Sequence, residues 1–199
     1  MKRQALSQSA EKSQNKTEAR MKAKKKPNGL SVVTAPNEPS HDQPPYVFLA
    51  GGIQKCDEWQ QYVIGRIRRH PVKGTVFNPR RPNFPIGNPD AALEQIRWEH
   101  ESLWQSDIVS MWFCNSLSDQ PICMFEWGVH LTRWQLGDYR PKALLVGVSP
   151  GYRREQDVMI QTDLVDPSIK VARSLDEHVA NIVSAMRALN EHPDRRYEP

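Results

Sequence analysis

Three carboxylates lie near one another in the middle of the chain: Glu99, Asp107 and Glu126. Two acids in one cleft suit cleavage of a glycosidic bond, one attacking the anomeric carbon while another group helps the leaving group depart. The attacking acid must be ionised, and Glu126 falls in the first two turns of the helix that Pro121 opens, where the macrodipole favours a charged carboxylate. Gly51-Gly52, followed by Ile53, comes directly after a strand, so the backbone can turn sharply and a ligand can approach closely. Arg80 and Arg81, in a proline-bounded loop, are of the type that grips a phosphate or carboxylate in a bidentate manner. Each residue also has a plainer reading. Glu126 suits an ion pair, Asp107 a cap on local N–H groups, and the arginines a solvated surface.

Other chemistries lack their patterns. There is no G-x-G-x-x-G, P-loop, H-E-x-x-H or G-x-S-x-G, and His100, His130 and the cysteines do not repeat at ligand spacing. The expectation is therefore an enzyme without metal or cofactor. Cys56, Cys114 and Cys123 are scattered and odd in number, which reads as unpaired thiols in a reducing compartment. No run approaches a membrane span and no apolar stretch marks a secretory leader, so the cytoplasm is the expected location.

The elements that must position these acids alternate. Short apolar strands begin at Tyr46, Gly74, Ile108 and Ala143, with later ones expected at residues 158–161 and 169–172. Helices are expected over residues 59–69 and 90–106, from Pro121, and from the capping box Ser174-Leu-Asp-Glu177. Leu93, Ile96, Leu103 and Trp104 form the expected inner stripe of the second helix. Ile122, Phe125, Val129 and Leu136 form that of the third. The alternation argues for an α/β sandwich with a mostly parallel sheet, its acids at the carboxyl ends of the strands.

Charge divides the chain. Residues 1–44 hold nine Lys/Arg and four Asp/Glu, about +5, whereas the remainder holds 18 and 19, about −1. The first segment is polar enough to be expected as a disordered basic tail, with Lys22-Ala-Lys-Lys-Lys26 as a candidate weak nucleic-acid contact. Residues 45–190 are the expected domain, and 191–199 a frayed end. A near-neutral domain weakens any reading of it as a nucleic-acid binder.

Phe48-Leu-Ala-Gly-Gly-Ile53, Asn78-Pro-Arg-Arg81, Gln95-Ile-Arg-Trp-Glu99, Ser106-Asp107-Ile-Val and Glu126-Trp-Gly128, taken in order, resemble the nucleoside 2-deoxyribosyltransferase-like superfamily, in its less characterised branch. The resemblance implies a Rossmann-like (flavodoxin-like) fold that cleaves the N-glycosidic bond of (deoxy)nucleosides or their 5′-monophosphates, with transfer to another base or to water. It implies Glu126 as nucleophile and Glu99 as the acid that contacts the sugar or assists the base. Gly51, Gly52, Ile53, Arg80, Arg81, Asp107 and Trp98 are the expected substrate-binding set. Such proteins usually carry Asp where this chain has Glu99, and often Tyr where it has Phe48. A homo-oligomer whose neighbouring subunit completes the site is also implied. Two other readings share the pocket: a non-catalytic nucleotide sensor, and a hydrolase of NAD or ADP-ribosyl compounds.

Overall fold

The computed structural model describes residues 29–38, 43–137 and 141–195. Five parallel strands form one sheet: β1 (Leu30–Thr34), β2 (Tyr46–Gly51), β3 (Gly74–Asn78), β4 (Ile108–Phe113) and β5 (Ala143–Val148), in the order β1-β3-β2-β4-β5. Five helices connect and cover them: α1 (Trp59–Ile67), α2 (Pro89–Gln105), α3 (Pro121–Gln135), α4 (Glu155–Val165) and α5 (Leu175–Glu191). This is a Rossmann/flavodoxin-like α/β fold.

Successive strand residues point to opposite faces, which divides the core in two. Phe48, Ala50, Val109, Met111 and Phe113 pack under α2, α3 and α4. Val47, Leu49, Ile108 and Trp112 pack under α1 and α5. The chain leaves β2 for β3 on one side and then crosses to β4 on the other. That reversal opens a crevice above the carboxyl ends of β2 and β4, the usual ligand position in such sheets.

Several local readings need correction. Leu30–Thr34 lies within the segment expected to be disordered, yet it pairs with β3 from Leu30↔Gly74 to Thr34↔Asn78. A five-residue β-prone run, Leu-Ser-Val-Val-Thr, is diluted by the polar residues around it, but one sheet edge is enough to order it. Residues 1–28, including the Lys22 to Lys26 run, lie outside the described residues, as do 196–199. Residues 158–161 are helical, inside α4, a helix that buries Val158 and Thr162 one turn apart. Of residues 169–172, Ala172 alone makes a bridge, to Gly147.

The stripes on α2 and α3 are also corrected, except at Leu103, which is buried as expected. Ala91, Trp98, Ser102 and Leu103 face the core from α2, and Cys123, Trp127, His130, Leu131 and Trp134 from α3. Both helices carry two apolar faces at helical spacing, and the one bearing Trp98 or Trp127 is buried. Leu93, Ile96, Trp104, Ile122, Phe125, Val129 and Leu136 are left exposed. The thiol reading changes as well, because Cys56 and Cys114 form a disulfide while Cys123 is free and buried. Their separation of 58 residues hides that one follows β2 and the other ends the adjacent β4.

Candidate active site

The crevice begins with a backbone requirement. Gly51 ends β2 with φ +145°, and a Cβ there would lie 2.2 Å from the Trp112 carbonyl oxygen. A Cβ on Gly52 would meet Gln120 Oε1 at 2.4 Å and Cys56 Sγ at 2.5 Å. The Gly-Gly pair thus lets three segments converge. Trp59 Nε1 donates to Gly52 O at 2.8 Å, and the disulfide ties the same loop to the end of β4.

Gln120 precedes α3 in the left-handed region (φ 50°) and is buried. Its Nε2 donates to Cys114 O at 2.6 Å, whereas its Oε1 is buried beside Gly52 with no hydrogen-bond partner. Sequence reading missed this residue, since nothing but its place before Pro121 marks it.

A cavity of about 290 Å³ follows, lined by Gly51, Gly52, Ile53, Gln120, Glu99 and Glu126, among others. Glu99 comes from α2, where Gln95 Nε2 donates to its Oε1 at 2.8 Å and also to Pro79 O. Glu126 comes from α3. Burial, and then the charge of Glu99, push the Glu126 carboxyl up to about 7. Burial also raises Glu99, against the hydrogen bond from Gln95 that favours its anion. The expectation that the helix end keeps Glu126 ionised is therefore corrected: desolvation outweighs the macrodipole at this depth. Two acids sharing one cleft hold a proton up to about neutral pH, and the titration belongs to the pair. Beyond them, about 430 Å³ of a second cavity runs between α2 and α3, sharing Glu99, Glu126 and Ile122 with the first.

The remaining expected residues are placed elsewhere. Arg80 donates to Asp57 O at 2.5 Å and Cys56 O at 2.9 Å, pinning the loop behind the crevice. Arg81 pairs with Glu94 at 2.6 Å. Asp107 stands at the amino end of β4, where it accepts from Tyr46 N at 2.9 Å and pairs with Lys142 at 3.2 Å. Trp98 is buried against Phe48 and Phe77, and its Nε1 donates to Asn37 O at 2.8 Å. The structure brings together Glu99, Glu126, Gly51, Gly52 and Ile53; Arg80, Arg81, Asp107 and Trp98 do not line either cavity. With Arg80 so engaged, an Arg80→Ala variant is expected to lose roughly 1–3 kcal/mol of stability in a denaturant titration. Its affinity for inorganic phosphate should match that of the parent.

Among the described residues, no helix is long and apolar enough to cross a membrane. Residues 44–136, which include the strand ends, both acids and α3, match the family model described as "Nucleoside 2-deoxyribosyltransferase like". No curated protein matches the chain.

Proposed function

We propose that the chain, whose residues 44–136 match the nucleoside 2-deoxyribosyltransferase-like family model, cleaves the N-glycosidic bond of a (deoxy)nucleoside through a covalent glycosyl-enzyme. The observation that carries this reading is the pair Glu99 and Glu126 at the junction of two cavities, where burial and the charge of Glu99 raise the Glu126 carboxyl to about 7. Glu126, once ionised, attacks C1′ with its carboxylate oxygen. The C1′–N bond breaks, its electron pair goes to the base, and the proton held by the pair passes from Glu99 to that base. Water or a second base then attacks C1′ and releases Glu126, so hydrolysis and transfer share the first half.

Substrate charge follows from the lining. Among the described residues, no Lys or Arg lines the smaller cavity, and Arg80 and Arg81 are engaged elsewhere, which supports a nucleoside over its 5′-monophosphate. Chromatography of base release from deoxynucleosides, deoxynucleoside monophosphates and NAD tests the proposal. Release from the nucleosides supports it. Unhydrolysed substrates that nevertheless bind would make the chain a nucleotide sensor.

A homo-oligomer is proposed as well, with exposed apolar residues outside the cavities, such as Leu93 and Leu136, available to a second copy. The cytoplasm is the proposed location. Nucleoside turnover is the corresponding metabolic role.

The shared proton gives a pH signature. Below the first ionisation of the pair Glu126 cannot attack, and above about 7 no proton is left for the base. The rate is thus expected to peak on the acid side of 7 and to fall with a midpoint near 7. Glu99→Gln should abolish that alkaline limb, because the raising charge and the donated proton both go with it. A rate that instead climbs through pH 7 would show that the doubly ionised pair is active and that Glu99 is not the acid.

A further inference from the structure

The two cavities differ in character. The smaller offers a glycine-lined backbone, Ser118 and Gln120, which suit a small hydroxyl-bearing ring. The larger, about 430 Å³, is walled by Leu103, Trp104, Ile122, Phe125 and Val129. A molecule with its reacting bond over Glu99 and Glu126 must place one half in each. Trp104 is half exposed, and the Arg133 guanidinium lies 4.4 Å from its ring centroid. The indole is thereby held as a platform at the groove wall.

We propose that the groove between α2 and α3 is the aglycone subsite, and that it selects bicyclic aromatic bases by stacked area rather than by their hydrogen-bonding edges. This rests on the glycosidic reading above. Besides the two acids, which are committed to the reacting bond, the groups lining the groove that could bond an edge are His100, His130 and Arg133, and Arg133 is stacked on Trp104. Burial, with Arg133 adding to it, lowers His130 to about 4, so its imidazole is neutral at physiological pH and contributes no charge. Stacking gains scale with the ring area covered, so a purine gains more than a pyrimidine, and adenine and guanine gain alike.

Titration calorimetry of the full chain with adenine, guanine, cytosine and thymine, and with 2-deoxyribose as control, tests this. The two purines should bind within about threefold of each other and roughly tenfold tighter than either pyrimidine. Trp104→Ala should weaken purine binding about tenfold and leave 2-deoxyribose unchanged. Val129→Trp, which fills the groove from an exposed position, should do the same, and an unchanged melting temperature verifies that each variant folds.

Purine affinity that is undetectable, equals that of pyrimidines, or is untouched by both variants overturns the proposal. A Trp104→Ala effect confined to subunit stoichiometry also overturns it, and assigns the groove to contact between copies. Base release measured in parallel separates the two levels. Trp104-dependent purine binding without turnover sinks the glycosidic reading alone, and Glu126-dependent turnover without it sinks the groove.

Discussion

Replacing Glu126 with Gln is expected to lower base release by about three orders of magnitude or more, with substrate binding largely retained. The amide keeps the shape of the carboxylate but cannot form the glycosyl ester. Chromatographic product analysis after single-turnover mixing reads this directly. The same variant should be more stable than the parent under alkaline conditions. The folded protein raises the Glu126 carboxyl from its ordinary 4.5 to about 7, so ionisation works against folding. The favourable contribution of the protonated form is complete below 4.5 and is lost as pH rises through 7. Melting temperatures of the Glu126→Gln variant and the parent should therefore converge near pH 4.5 and diverge by about pH 8, the variant higher. Equal melting curves on the alkaline side would mean that the acid is solvated and that the cleft is not the desolvated site described.

The second large effect concerns the bond between Cys56 and Cys114. It closes a span of 58 residues, and constraining such a loop in the unfolded chain contributes roughly 4 kcal/mol on the chain-entropy account. A Cys56→Ala/Cys114→Ala double variant is expected to melt on the order of 10 °C lower in calorimetry. Cys56 lies in the loop that Arg80 holds through two carbonyls, and Cys114 O accepts from Gln120. Loosening the pair therefore also loosens the Gly52 and Gln120 wall, and KM should rise more than kcat falls. A melting temperature within about 2 °C of the parent would show that the bond constrains little.

Much of the architecture was legible because it depends on pattern. Apolar strands at Tyr46, Gly74, Ile108 and Ala143, and Ser174 as a cap bonded by Glu177 N, follow from local chemistry alone. Glu99 and Glu126 could be brought together on paper because each precedes or follows β4 by one element. The misreadings have physical causes. A helix with two apolar faces does not declare which one meets the sheet, so the inner stripes of α2 and α3 cannot be chosen from spacing. Arg80 suits an anion clamp by type, but carbonyls 23 and 24 residues away in sequence claim it. Asp107 and Glu99 are close in sequence yet lie at opposite ends of a strand and a helix. Gln120 and the Cys56–Cys114 pair depend on which strands are neighbours, which no local window contains.

Because all five strands run the same way, the sheet has two unlike poles. Leu30 enters beside the first residue of β3, at the pole where Asp107 bonds Tyr46 N, and the acids stand at the other. A bulky label attached at the Asp107 pole is therefore held away from the crevice by the length of the strands.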